Sequence, residues 1–391
     1  MKLLFAIKAM NNPGGGAERV LAEVAGGLAG RGHRVAVLSF DAPGGESFYS
    51  LDSRIERIEL GLGSTTDAAT VLVTLRRIRA LRAAVRGYGP DLAIGFMHSM
   101  FIPLGLALLG TGIPFIASEH IVMEHYASRP LQSMLLRLTP LLANRITCVS
   151  EQVRSTYPSG LQRKMVAVVN PVCIDVHEKA DPAGPAEGRK ILLAVGRLSQ
   201  QKDHEILIRA FAEIADEVPE WDLRIIGDGP LHQSLAAMVT ESGLGSRICL
   251  PGSVRNITAE YTAAQLFVVP SHYESFGLTT AEALAHGLPV VGFDDCPGTN
   301  QLVRPRANGA LTSGLGRRAH ALANTLKTLM QDDALRLRLA SQEGGVPDEC
   351  RVYNVLDKWE ALIEAVHRTS GFVGQGVVNG GRGSFSRLEG D

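Results

Sequence analysis

Cysteine is scarce and scattered in this 391-residue chain. There are five, Cys148, Cys173, Cys249, Cys296 and Cys350, with no Cys-x-x-Cys pair and no histidines clustered at zinc-ligand spacing. That pattern excludes a disulfide framework, offers no metal site and fits a reducing, cytoplasmic compartment. Net charge is also missing: 39 Lys plus Arg face 40 Asp plus Glu. The chain as a whole therefore has no electrostatic preference for nucleic acid. Uninterrupted apolar runs are absent too. The longest apolar region, 100–117, is broken by Pro103, Gly105, Gly110, Gly112 and Pro114. It reads as a buried helix followed by a buried strand, not a membrane span. The run at 3–7 lies between Lys2 and Lys8 and is too short for a secretory signal.

What is present is a repeated alternation of short apolar runs with amphipathic stretches, which predicts parallel α/β structure. Strands are expected at 3–7, 34–40, 55–60, 91–96, 114–118, 145–149 and 166–169, with helices at 17–29, 70–86 and 131–143. Asp181, Pro182, Ala183, Gly184 and Pro185 then mark a linker within 175–189. The pattern restarts with strands at 190–195, 222–226, 247–250, 265–269 and 289–292, and helices at 203–217, 231–242, 279–286 and 317–330. The length allows two cores. The expected division is 1–173, 174–350, a last helix at 351–368, and a Gly-rich tail at 369–391 read as disordered.

The most informative stretch is 270–291. It puts Glu274 in a loop after an apolar strand and Glu282 early in the next helix, with seven residues between them. A strand, a turn through Gly277 and a helix start together form an anion site, because free backbone N–H groups point the same way. Two acids beside such a site suit a ligand with both phosphate and hydroxyls, such as a nucleotide sugar. Upstream, Gly196 ends a strand and is followed by Arg197 and Lys202. Both cations suit diphosphate oxygens, and both could equally be solvated loop charges. Glu274 alone reads as a solvated loop charge, and Glu282 alone as an acid complementing a helix dipole.

The spaced acids resemble the Glu-x7-Glu signature of the retaining glycosyltransferases of family 4 (glycosyl transferases group 1). The resemblance covers roughly residues 1–365. It implies the GT-B architecture: α/β, two Rossmann-like domains with parallel sheets facing across a deep cleft. It implies a last helix that crosses back to the first domain. It also assigns roles. Arg197 and Lys202 bind the donor diphosphate, Glu282 the ribose hydroxyls, and Glu274 faces the donor sugar. The backbone at Phe276, Gly277, Leu278 and Thr279 caps the phosphates. Gly227 lines the donor site, and the loop with Val254 and Arg255 reads the base. His120, at a strand end, matches the active-site histidine, and His98 is a weaker acceptor-side candidate. The loop through Gly14, Gly15 and Gly16 faces the cleft. It fails as a dinucleotide fingerprint, because Arg19 stands where the last glycine should be. Gln265 and Gln301 depart from acids common in the family.

The function so implied is transfer of a hexose or N-acetylhexosamine, retaining and without a metal or cofactor. The donor is a nucleoside-diphosphate sugar, UDP-linked by preference. The acceptor is a cell-surface glycan or a lipid-linked glycan. Alternatives are a nucleotide-sugar epimerase or phosphorylase on the same fold, or a non-catalytic binding protein. The helix at 70–86 carries Arg76, Arg77, Arg79, Arg82 and Arg86 among apolar residues. Such a helix fits peripheral contact with an anionic inner membrane face, with 131–143 as a second candidate, or an ordinary surface helix.

Overall fold

The structure, a computed structural model, describes residues 1–11, 15–62, 70–127, 129–173, 177–185, 187–341 and 346–375. Side chains at 341 and 371–375 are outside that description.

The first half forms a seven-stranded, all-parallel sheet. Its strands are β1 (Lys2–Ala6), β2 (Arg34–Ser39), β3 (Glu56–Glu59), β4 (Leu92–Phe96), β5 (Phe115–Ser118), β6 (Arg145–Cys148) and β7 (Met165–Ala167). They lie in the order β3-β2-β1-β4-β5-β6-β7. The second half builds a six-stranded parallel sheet. It comprises β8 (Lys190–Val195), β9 (Trp221–Ile226), β10 (Ile248–Gly252), β11 (Leu266–Val269), β12 (Val290–Phe293) and β13 (Gly309–Thr312), ordered β10-β9-β8-β11-β12-β13. Buried parallel strands explain the continuous apolar runs such as Leu92-Ala93-Ile94 and Leu266-Phe267-Val268-Val269. These are two Rossmann-like α/β domains.

Strand order reverses between β1 and β4 in the first sheet and between β8 and β11 in the second. Ligands of such sheets bind outside the carboxyl ends of strands at these switch points. The first-half helices used below are α1 (Gly16–Gly30), α2 (Val71–Tyr88), α3 (His98–Leu108) and α4 (Pro130–Leu142). As expected, 100–117 is a buried helix leading into a buried strand.

The last helix, Val352–Gln375, packs on α1. Leu356 fills the space beside Gly27, where a Cβ would fall within 2.5 Å of it. Arg31 reaches Asp357 at 2.7 Å, and His33 Nε2 lies 3.0 Å from Glu360. Trp359 stacks on Phe96 at the end of β4. The tail expected from 369 does not start there. The helix continues, with the Thr369 and Ser370 hydroxyls bonded back to the Ala365 and Val366 carbonyls at 3.0 Å. The remainder of the Gly-rich tail, 376–391, lies outside the described residues. Strand β13 adds to the expected set. Gly309-Ala310-Leu311-Thr312 carries little strand propensity, and its place is set by pairing along β12.

Candidate active site

The β11 chain runs into the loop that carries Glu274. Its backbone N–H donates to the Pro297 carbonyl at 2.9 Å. Gly298, at φ +81°, packs against it so closely that a Cβ there would fall 2.7 Å from the Glu274 carbonyl oxygen. A short turn, Gln200–Lys202, brings the β8 loop alongside. Gln201 Nε2 donates to the Tyr273 carbonyl at 2.8 Å, and the His272 N–H donates to the Gln201 carbonyl at 2.9 Å. Lys202 Nζ then donates to both Glu274 oxygens, at 2.6 and 2.7 Å. Ser271 Oγ adds a third bond at 2.6 Å. Glu274 is 7% exposed. It is therefore a buried, paired carboxylate, and the reading of a solvated loop charge fails. Lys202, half-buried and paired, is no solvated loop charge either. Arg197 does stand exposed, with no carboxylate partner among the described residues.

Glu282 lies in the helix Leu278–Ala285, whose N-cap is Gly277 at φ +83°. Only glycine takes that left-handed conformation without strain. Glu282 falls beyond the first turn, so helix-dipole complementarity does not account for it. It is 5% exposed. Tyr261 donates its hydroxyl to Oε2 at 2.8 Å and stacks on His286. Arg19 of α1, from the first domain, forms an ion pair with Oε1. Burial raises the Glu282 carboxyl above its ordinary range, and Arg19 opposes that shift. The Tyr261 phenol is pushed well above its usual value, first by burial and then by Glu282.

Arg19 was missed as a functional residue. Sequence reasoning used it only as a break in a glycine pattern. One signal was available: a cation near the start of a helix opposes the dipole, so a specific partner is expected.

On the first-domain side, His120 follows β5. Thr147 Oγ1 donates to Ser118 Oγ at 2.8 Å, and Ser118 Oγ lies 2.9 Å from His120 Nε2. Ser118 Oγ keeps its own proton and a second lone pair, so it can donate to Nε2 or accept from Nε2–H. The ring stacks on Phe96 at 4.9 Å. Burial pushes the imidazole down to about 4, with Asn170 acting in the opposite sense. Next door, Glu119 is 1% exposed and binds Tyr126 Oη, which also lies 2.9 Å from His98 Nδ1.

The remaining predicted positions also gather at strand ends. Gly196 directly follows β8 and Gly227 directly follows β9, and the two pack so closely that a Cβ on Gly227 would fall 2.1 Å from the Gly196 carbonyl oxygen. Gly15 caps α1 and Gly16 opens it. Gly14 lies outside the described residues. Phe276 is buried, Leu278 and Thr279 open the helix that carries Glu282, and Val254 packs against the core. Arg255 is 80% exposed and pairs with Glu46 of the first domain at 3.1 Å. Gln265 is structural: its Oε1 accepts from the Ile191 N–H at 2.8 Å, and Nε2 donates to the Ala263 carbonyl.

Two doubly wound parallel-sheet domains, each with its own switch point, make up the GT-B architecture. The chain belongs to the glycosyltransferases: Glycosyltransferase Family 4 matches residues 14–176 and Glycosyl transferases group 1 matches residues 175–343. One similar protein is a Campylobacter jejuni α-1,4-N-acetyl-D-galactosaminyltransferase that acts on an undecaprenol-linked glycan. It is 26% identical over 94% of this chain and 99% of its own. An uncharacterized Haemophilus influenzae glycosyltransferase is 22% identical over 89% of this chain and 96% of its own. Among solved structures, Anabaena HepE in complex with UDP and glucose superposes with a TM-score of 0.73 at 20% identity. That match covers 93% of this chain and all of HepE, and shows a shared fold.

Proposed function

We propose that this glycosyltransferase moves a hexose or N-acetylhexosamine from a nucleoside-diphosphate sugar, UDP-linked by preference, to a glycan or lipid-linked acceptor with retention of configuration. The observation that carries this reading is the largely buried Lys202–Glu274 pair beside the start of the Glu282 helix. An ammonium has three donors, and Glu274 takes two. The third, with Arg197 and the free N–H groups at Leu278 and Thr279, supplies charge stabilisation for a departing diphosphate. Fixed cations do there what a bound metal does in other transferases. Glu274 orients sugar hydroxyls, Glu282 holds the ribose, and Val254 and Arg255 border the base. In a front-face substitution the anomeric C–O bond to phosphate breaks while the acceptor oxygen bonds the same face. The acceptor proton passes to the departing phosphate oxygen. Glu282, engaged by Tyr261 and Arg19, is no second nucleophile. HepE binding UDP and the undecaprenol-linked acceptor of the Campylobacter relative support the substrate classes. A thermal-shift screen of UDP-, GDP- and ADP-sugars tests the donor, since a bound ligand raises stability by mass action. Stabilisation by none of them overturns the reading.

The acceptor side adds peripheral contact with an anionic membrane face. No helix among the described residues is long and apolar enough to cross a membrane. However, α2 packs on α3 and α3 on α4. Their outer surface exposes Val71, Leu72, Leu75, Leu109, Leu131 and Leu141. An apolar surface of this kind is uncommon on a soluble domain and marks an interaction site. Neither α2 nor α4 contains an acidic residue. The five arginines of α2 divide. Arg77 is buried, bonded to the Leu62 carbonyl, and Arg82 ties α2 to the Ala107 and Leu109 carbonyls at 2.8 Å. Arg76, Arg79 and Arg86 remain exposed, joined by Arg137 of α4.

A further inference from the structure

The β1/β4 switch point carries a cluster that the donor chemistry does not use. Met97, between β4 and α3, sits at φ +66° and ψ 146°, a region almost reserved for glycine. That turn sets His98 at the start of α3, beside Lys8 beyond β1. His98 Nδ1 lies 2.9 Å from Tyr126 Oη, and Tyr126 Oη donates to Glu119 Oε2 at 2.7 Å. Glu119 Oε1 accepts from the His120 and Ile121 N–H groups at 2.9 and 3.0 Å. The His98, His125 and Tyr126 rings form an edge-to-face group. Across the cleft, the Tyr273 phenol beside Glu274 is raised by its own burial and is acted on by Arg129 and Glu124 of the first domain. Arg129, which lies 2.6 Å from His125 of this ring group, is therefore near the loop of the proposed donor-sugar residue.

We propose that His98 Nε2 accepts a hydrogen bond from a hydroxyl of the acceptor sugar, with Tyr126 and Glu119 as positioning residues that fix which ring nitrogen carries the proton. This rests on the transferase reading. Tyr126 has one proton to give. When Glu119 is ionised, that proton goes to the carboxylate, so the phenol oxygen accepts from His98 Nδ1–H. Nε2 is then left as a lone pair, and it has no partner among the described residues. When Glu119 is protonated, the chain reverses: Glu119 donates to Tyr126, Tyr126 donates to Nδ1, and Nε2 becomes an N–H.

The electrostatics put this reversal near neutrality. Burial pushes the Glu119 carboxyl up to about 7, against the lowering effect of Tyr126 and the two backbone N–H groups. Tyr157 and Cys148 also face it, both pushed up by burial and so neutral. His98 itself is lowered to about 4 by burial, with His125, Arg129 and Lys8 adding to the effect. His125 is likewise lowered to about 4. A histidine so reluctant to take a proton suits hydrogen-bond acceptance and not general base catalysis.

Two-bond proton–nitrogen correlation spectra of the imidazole rings test this without foreknowledge of the acceptor. Expected is Nδ1–H at His98 at pH 8, shifting toward Nε2–H as pH falls through about 7, and loss of that shift in Tyr126→Phe. A tautomer indifferent to pH, or a shift that survives Tyr126→Phe, overturns the positioning claim. A panel of p-nitrophenyl hexosides and N-acetylhexosaminides, added with UDP, should then move the His98 Nε2 resonance. No movement across the panel overturns the acceptor contact. Failure of the transferase reading shows separately, as wild-type protein that no nucleotide sugar stabilises.

Discussion

Lys202 Nζ sits 2.6 and 2.7 Å from the two oxygens of Glu274, so the proposed phosphate cation and the proposed sugar-facing acid are one largely buried pair. Removing one partner of such a pair leaves the other charge uncompensated, at a cost of about 3–5 kcal/mol. Lys202→Met is expected to lose about that much stability in urea unfolding. It should also lose about 100-fold in turnover, through lost stabilisation of the leaving group. Lys202→Met combined with Glu274→Gln should recover most of the stability and none of the turnover. Recovery of both would show that the pair is structural only.

Arg19 and Glu282 give a pH-dependent prediction. Arg19 lowers a carboxyl that burial raises. In Arg19→Met the Glu282 pKa rises further, so the ionised form that binds a diol appears only at higher pH. Donor affinity, followed by calorimetry, should fall at neutral pH and recover as pH increases. An affinity equal to wild type at all pH values would remove Glu282 from the ribose role.

His204 is 2% exposed, and burial together with Lys202 lowers its imidazole to about 3. Its folded pKa lies below the unfolded value near 6.5. The unfolded chain therefore binds the extra proton first, and stability falls as pH drops below 6.5 toward 3. By pH 5 this group alone costs about 2 kcal/mol. His204→Gln should flatten that part of the Tm–pH curve, which thermal unfolding at several pH values would read.

Sedimentation with phosphatidylglycerol vesicles should capture the protein, and phosphatidylcholine vesicles should capture less. Leu72→Asp with Leu141→Asp should abolish binding at unchanged Tm, and added salt should weaken it by screening Arg76, Arg79 and Arg137. Equal partition to both lipids would remove the electrostatic part.

Much of the fold was legible because parallel strands buried on both faces leave continuous apolar runs, and β8 spans the expected 190–195. The short strand β13 was not legible, because Gly309 and Ala310 carry almost no hydrophobic signal. Within the site, Glu274 and Glu282 stood out through their spacing, and Lys202 through its place in the loop after a strand end. Their partners did not. Arg19 meets Glu282, and Tyr126 joins Glu119 to His98, through contacts between elements far apart in the chain. Arg77 shows the converse: helical spacing marked it as part of a basic face, while packing turned it inward over Phe40.

The most direct test of the account is the anomeric configuration of product formed from the best-stabilising nucleotide sugar, read by NMR in the presence of EDTA. A retaining, metal-independent transfer gives an α-linked product from an α-linked donor, at a rate that chelation leaves unchanged. A β-linked product, or activity that disappears with EDTA and returns with a divalent cation, would contradict it.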